Sequence, residues 1–383
     1  MEFVIFAKSI KNTRISTNNT YHVLGLMSGT SLDGLDIACC TFTKNTFGWH
    51  YEIEAADCIA YTDDWKRKLQ HAPQLGGYEL MLLHKDYGFL LAGKVNDFLR
   101  AHEVKPQLIA SHGHTIYHEP EKYLSLQVGD GAALYAGTKI PVVCDFRSVD
   151  VCMGGQGAPL VPIGDKLLFS SYNFCLNLGG IANISYNDKI GSRLAFDISP
   201  CNLILNRLAL QKGVEYDRNG ELAAAGNICQ ELLHELNNWP YYLKEAPKSL
   251  DKEALLHEWM PLINRAEISV EDKLATVTHH IAQQIAAVVN AQLPYIKTQK
   301  NALQLLATGG GAFNSHLINN LQSLTAVEIV VPKPLLVNYK EALVFAFLGL
   351  LRALNRPNCL QSVTGAAADN IGGAFYGDYK NFV

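Results

Sequence analysis

Two apolar runs of strand length, Tyr21–Met27 and Ile37–Phe42, are separated by a polar break that reads Ser, Gly, Thr, Ser, Leu, Asp, Gly, Leu, Asp from residue 28 to 36. The pattern predicts a hairpin. Gly29 and Gly34 permit backbone approaches that a Cβ forbids, and Ser28, Thr30, Ser31 and Asp33 bring hydroxyls and a carboxylate to the bend. A loop of this kind can wrap a phosphate, and the same residue types also make a plain turn, so the stretch alone leaves both readings open.

The pattern of strand, glycine bend and strand returns at Asn173–Tyr186, NFCLNLGGIANISY, with Gly179 and Gly180 at the bend. Two such hairpins point to two related lobes facing each other across a cleft, each offering backbone N–H groups to one polyphosphate. Between them the spacing predicts a helix over about Tyr78–Glu103, a strand around Gln107–Ser111 and an apolar strand at Ile140–Asp145. Beyond them Ile198–Lys212 and Val270–Leu293 have helical spacing. Leu303–Thr308 then reads as a buried strand, followed by Gly309, Gly310, Gly311 and a helix that leads on from Asn314. Such a unit is a frequent nucleotide site because loop amides and the helix N-terminus face the ligand, although a tightly packed turn uses the same glycines. Strands alternating with helices predict an α/β architecture.

A chain of 383 residues exceeds the size at which one core usually keeps growing, so two lobes are expected. The division drawn from the sequence gives a first lobe of residues 1–139 plus 361–383, in which 1–20 is an accessory extension, and a second lobe of residues 140–360. A hydrophobic content of 48% can fill both cores. The net charge of -4 argues against a nucleic-acid partner and for a small molecule. Nine cysteines without a CxxC pair suggest neither a disulfide framework nor a zinc site. The first apolar run is short and lacks a basic segment before it, and no uninterrupted apolar run reaches about 18 residues. The expectation is a cytoplasmic protein with no membrane partner.

Four segments carry candidate chemistry. SHGHTIYHEP (111–120) holds His112, His114 and His118, which suit hydrogen bonds to a polar ligand better than a metal shell, since no carboxylate or cysteine completes one. CDFRSVDVCMGGQGAPLVP (144–162) offers Arg147 for an anionic group, or for an ion pair with Asp145 or Asp150 that only holds the loop. LAFDISPCN (194–202) ends a strand on Asp197, a candidate general base or a helix cap. NYKEALVFAFLGLLRAL (338–354) reads as a helix with Glu341 in its first turn, where an acid ordinarily only complements the helix dipole.

GLMSGTSLDGLD, SHGHTIYHEP, DFRSVDVCMGGQGAPLVP, LNLGGIAN, TGGGAFN, EALVFAF and SVTGA, in this order, resemble the anhydro-N-acetylmuramic acid kinase family over nearly the whole chain from about residue 22. The resemblance implies the two-lobed fold of the sugar kinase, actin and heat-shock chaperone superfamily, built from duplicated ribonuclease H-like domains around a cleft. It implies an ATP- and Mg²⁺-dependent enzyme that opens the 1,6-anhydro ring of anhydro-N-acetylmuramic acid with water and phosphorylates O6 in cell-wall recycling. On this resemblance Asp197 is the base. Gly29, Thr30, Ser31, Leu32, Asp33, Gly34, Leu35 and Asp36 form the phosphate hairpin, and Asp33 is a candidate for a magnesium-bound water. Gly179, Gly180, Gly309, Gly310, Gly311 and Asn314 serve the nucleotide, while His112, Arg147 and Glu341 lie near the sugar. The metal ligands stay unassigned, and the family suggests a homodimer. The chain departs from the family pattern in places: D-x-G-P-G-N is Asp197-Ile-Ser199-Pro-Cys201-Asn202, SHGQT carries His114, and PKSTGRE is PKSLDKE at 247–253. A kinase for another amino sugar, or an ATP-binding sensor without transfer, are the competing readings.

Overall fold

The computed structural model describes residues 19–29, 32–296 and 302–378. Thr30, Ser31 and nearly all of the 1–20 extension lie outside the described residues. The strands in chain order are β1 (Asn19–Ser28), β2 (Gly34–Asn45), β3 (Gly48–Ala60), β4 (Leu108–Ser111), β5 (His114–Glu119), β6 (Leu124–Val128), β7 (Val142–Cys144), β8 (Phe174–Leu178), β9 (Ile181–Asn187), β10 (Arg193–Pro200), β11 (Gln304–Thr308), β12 (Glu328–Val330) and β13 (Ala374–Tyr376).

Two larger sheets organise the chain. The first has the order β13-β7-β4-β1-β2-β3 and the second β10-β9-β8-β11-β12. In the first, β1, β2 and β3 form an antiparallel meander, and β4 and β7 add in parallel on the other side of β1. In the second, β8, β9 and β10 form the meander, and β11 and β12 add in parallel beyond β8. The same order occurs twice, third, second, first, fourth, fifth along each sheet's own segment. This repeat is the duplicated ribonuclease H-like architecture, and both glycine bends read from the sequence are the first hairpins of their sheets.

Helices bury both faces of the first sheet. The helix Gly77–His102 turns Leu80, Leu83, Tyr87, Leu91, Val95 and Phe98 inward at three- and four-residue intervals. The opposite face receives the helix Pro334–Ala353, which packs on β1, β2 and β4 and also meets β11 and the turn Gly310–Phe313. Its core includes Val23 and Ala110 of the first sheet together with Cys175, Ala195 and Leu306 of the second, so this helix is shared between the two halves. By length and composition it is apolar enough to cross a membrane, yet most of its apolar side chains, those from Ala342 to Ala353, are buried in this core. Gly25 makes the close packing possible: a Cβ there would stand 1.9 Å from the Ala342 carbonyl oxygen.

Two sequence boundaries shift. The strand expected at Ile140–Asp145 is β7, hydrogen-bonded to β4 in the first sheet, although the 139/140 division assigns it to the second lobe. The helix carrying Glu341 begins at Pro334, because a proline at the first helical position needs no intrahelical N–H bond. Glu341 is therefore not in the first turn, and follows a kink at Tyr339 (φ -115, ψ 16).

Candidate active site

The bend between β1 and β2 is tight. Leu32 donates its N–H to the Gly29 carbonyl at 3.3 Å and adopts φ 61, while Leu35 is buried, Asp33 is exposed and Asp36 is partly buried. A Cβ on Gly34 would stand 2.7 Å from the Ile59 carbonyl oxygen, so glycine lets β3 lie close under the bend. Ser28, buried at the end of β1, anchors the bend from behind: Tyr61 Oη donates to Ser28 Oγ at 2.8 Å, and Ser28 Oγ lies 3.0 Å from His114 Nδ1. With Tyr61 donating, the Ser28 proton is available to His114. Burial lowers the His114 pKa to about 4, which keeps the ring neutral and able to accept.

His112 and Arg147 form one unit. The His112 Nδ1–H donates to the Gly113 carbonyl at 2.9 Å, leaving Nε2 to accept from Arg147 Nε at 3.2 Å and Nη2 at 2.9 Å. Burial and the Arg147 charge hold His112 down to about 3, so it is a neutral acceptor throughout the physiological range. Arg147 Nη1 donates to the Gly157 carbonyl at 2.6 Å, which still leaves one N–H on each terminal nitrogen for a ligand. The expected alternative pairing with Asp145 or Asp150 is not made. Asp145 accepts from Ser148. Asp150 is fully buried and accepts from the Gly157 amide, Cys359, Thr364 and Asn370, tying the glycine-rich loop to the C-terminal segment.

Glu341 is exposed to solvent, although protein atoms crowd around its carboxylate. Burial and the nearby Asp36 carboxylate push its pKa up, against the pull of Lys340 and Arg147. Asp36 is itself raised by burial, and Cys58 partly offsets this. The structure thus brings His112, Arg147, Glu341 and the end of the first hairpin into one electrostatic neighbourhood. Lys340, next to Glu341, points the other way into a buried ion pair with Asp165 at 2.8 Å.

In the second half three loops converge. The Cys201 and Leu203 amides donate to the Gly180 carbonyl at 2.9 and 3.0 Å, Asn202 N–H donates to the Gly179 carbonyl at 3.1 Å, and Asn202 Nδ2 donates to the Leu178 carbonyl at 3.0 Å. The triple-glycine turn packs against the same residues. Gly309 has φ 80 and a Cβ there would stand 2.5 Å from Asn177 Oδ1, while one on Gly311 would stand 2.8 Å from Leu178 Cβ. Gly310 is open, and Gly179 and Gly180 leave room for a Cβ. Asn314 Oδ1 accepts from Leu317 N–H at 2.9 Å and caps the helix Ser315–Leu324, so that oxygen already has a structural task.

Asp197 sits near the C-terminal end of β10, where the register with β9 shifts between Asp197 and Ser199. It caps no helix, since Cys201 begins the helix Asn202–Leu210 without a side-chain bond. Asp197 Oδ2 accepts from the Leu250 amide at 2.9 Å, and among the described residues no partner takes Oδ1. Burial raises its pKa and the Leu250 bond partly restrains the rise. Leu250, Tyr241, Lys340 and Asp165 carried no chemical signal in the sequence. PKSLDKE was visible only as a departure from the family pattern.

A profile of the anhydro-N-acetylmuramic acid kinase family matches residues 21–378. The chain belongs to this family. It is accordingly an enzyme of the phosphotransferase class. It is 35% identical to the anhydro-N-acetylmuramic acid kinase of Haemophilus influenzae over 381 residues, covering 92% of this chain and 97% of the relative. It is 36% identical to the one from Paramagnetospirillum magneticum over 360 residues, covering 91% and 98%. At the positions where the family pattern has glycine, neither Ser199 nor Cys201 has positive φ, and Cys201 stands at φ -136 and ψ -112. Burial pushes the Cys201 thiol up to about 12, so it is an inert packing group.

Proposed function

We propose that this enzyme uses ATP to convert 1,6-anhydro-N-acetylmuramic acid into N-acetylmuramic acid 6-phosphate in cell-wall recycling, with Asp197 as general base. The observation that carries the reading is the Asp197 carboxylate at the end of β10: one oxygen is held by the Leu250 amide, the other has no partner among the described residues, and burial raises its pKa, which makes it a stronger base. Asp197 takes a proton from water, and the hydroxide adds to the anomeric carbon as the bond from that carbon to O6 breaks. O6 captures the γ-phosphoryl group, so its developing charge needs no separate acid, and ADP leaves.

The remaining site residues have positioning tasks in this reading. The two spare N–H groups of Arg147 meet the lactyl carboxylate, with His112 fixing the guanidinium plane. The Gly179–Gly180 bend, the Gly309–Gly311 turn and the first hairpin receive the nucleotide from its two ends. Asp36 and Glu341 suit a divalent cation: each is raised in pKa by its surroundings, and Asp36 acts on Glu341 directly, so a cation between cleft and phosphates relieves the repulsion. Among the described residues no group of three or more His, Cys, Asp or Glu side chains is arranged to hold a metal ion. Bound Mg²⁺ neutralises phosphate charge. The first lobe in this reading is built on the first sheet, whose edge strand β13 comes from the C-terminal segment, the second on β8 to β12, and the helix Pro334–Ala353 lies between them.

The test is ADP release by wild type and Asp197→Asn with ATP, Mg²⁺ and the anhydro sugar, run in ¹⁸O-labelled water. Sugar-dependent turnover that places ¹⁸O on the anomeric carbon and is lost in Asp197→Asn is expected. Turnover without label would identify a simple hydroxyl kinase, and nucleotide binding without any turnover would identify a sensor.

A further inference from the structure

We propose that residues 239–250 form a holder for Asp197, in which Tyr241 is the positioning residue that sets its main chain. The proposal rests on Asp197 being the base. Because β10 is an edge strand of its sheet, its outer N–H and C=O groups have no strand to bond to. At Asp197 both are taken by this segment: Asp197 N–H donates to the Lys248 carbonyl at 3.0 Å, and Tyr241 Oη donates to the Asp197 carbonyl at 2.7 Å. The Leu250 amide then bonds Asp197 Oδ2. Main chain and carboxylate are thus gripped together at the point where the β10 register slips.

The holder is itself anchored. Tyr241 is only 4% exposed, and its ring stacks on Trp239 with centroids 5.0 Å apart. Lys248 Nζ stands 4.6 Å from the ring centroid and donates to the Tyr241 carbonyl at 3.2 Å. Tyr242 Oη donates to His280 Nε2 at 2.7 Å and lies 3.4 Å from Ser199 Oγ, while His280 Nδ1 donates to Asn237 Oδ1 at 2.7 Å. Ser199 is one of the residues that replaces a family glycine, and its hydroxyl here faces the holder. Burial and the negative charge of Asp197 keep the Tyr241 hydroxyl protonated and therefore donating.

Tyr241→Phe keeps the stacked ring and deletes one donor. The expected result is a fall of about tenfold in kcat for sugar-dependent ADP release, with KM for ATP and for the sugar within about twofold of wild type. The acid limb of the kcat–pH profile is expected to move to higher pH, because a loosened holder weakens the Leu250 bond that restrains the carboxylate. A purely structural tyrosine would lower the melting temperature and leave both kcat below that temperature and the limb unchanged. Asp197→Asn is run in parallel. If it retains turnover, the base reading fails and this proposal falls with it. If it is inactive while Tyr241→Phe keeps wild-type kcat and limb, the holder alone is overturned. Should Tyr241→Phe be unfolded at the assay temperature, Lys248→Met, which removes the bond to the Tyr241 carbonyl, is expected to shift the limb in the same direction. An unchanged limb in that folded variant overturns the proposal.

Discussion

Replacing Asp165 by Asn should be the most damaging single change in the buried core between the two sheets, and more damaging than removing its partner Lys340. Asp165 lies on the helix Pro162–Leu168 and pairs with Lys340 at 2.8 Å through Oδ1. Its Oδ2 accepts from Ser185 Oγ at 2.5 Å, and that same hydroxyl accepts from Arg193 Nη2 at 2.8 Å. One buried anion therefore serves two buried cations, since Lys340, Asp165 and Arg193 are each about 5% exposed or less. Burial works against the Lys340 charge, but Asp165 more than restores it, so the Lys340 pKa is raised. Asp165→Asn leaves two cations in the core with no counter-charge and should cost about 3–5 kcal/mol, the range for stranding a buried charge. Lys340→Met leaves Asp165 balanced by Arg193 through Ser185 and should cost roughly 1.5–3 kcal/mol, that of a hydrogen bond to a charged group. The double variant should be less destabilised than the two singles predict together, because Met removes one of the cations that Asn stranded. Chemical denaturation of the four proteins, read by circular dichroism at neutral pH, measures this. Lys340→Met costing as much as Asp165→Asn, or additive costs in the double variant, would refute the argument. The network also joins the helix that carries Glu341 to β9 and β10, the latter ending near Asp197, so a folded Asp165→Asn enzyme should also lose kcat.

Two further predictions address ligands. Gly309→Ala places a Cβ at φ 80 and 2.5 Å from Asn177 Oδ1, so the triple-glycine turn must move; KM for ATP should rise about tenfold or more while KM for the sugar stays near wild type. Arg147→Lys loses the paired contact to His112 and the flat fork that carries the spare donors; KM for the sugar should rise roughly 10–100-fold, and the difference from wild type should shrink with a sugar whose lactyl carboxylate is an amide.

Much of the molecule is legible along the chain because it depends on neighbours a few residues apart. The hairpins at 21–42 and 173–186, the buried strand before the three glycines and the long helices follow from apolar spacing and from Gly at the bends. Gly25 was visible as a residue but its reason was not: it faces Ala342, far along the chain, and only the docking of the Pro334 helix onto β1 makes a side chain there impossible. The position of Glu341 in its helix turns on a local signal. Apolar spacing alone starts the helix at Asn338, whereas Pro334 at the first helical position marks an earlier start.

The alternation of strands and helices, the glycine bends, the family and the residue types available for chemistry all follow from the order of residues along the chain. Which of these residues meet depends on how the elements pack. Arg147 chose His112 over the adjacent Asp145 and Asp150, Asp197 found the Leu250 amide, and Asp150 bonded Asn370. Those contacts cross between segments that local spacing treats as independent. A buried polar group takes whichever partner the packed sheets and helices bring within hydrogen-bond distance, and that is settled by how the two sheets share one apolar helix.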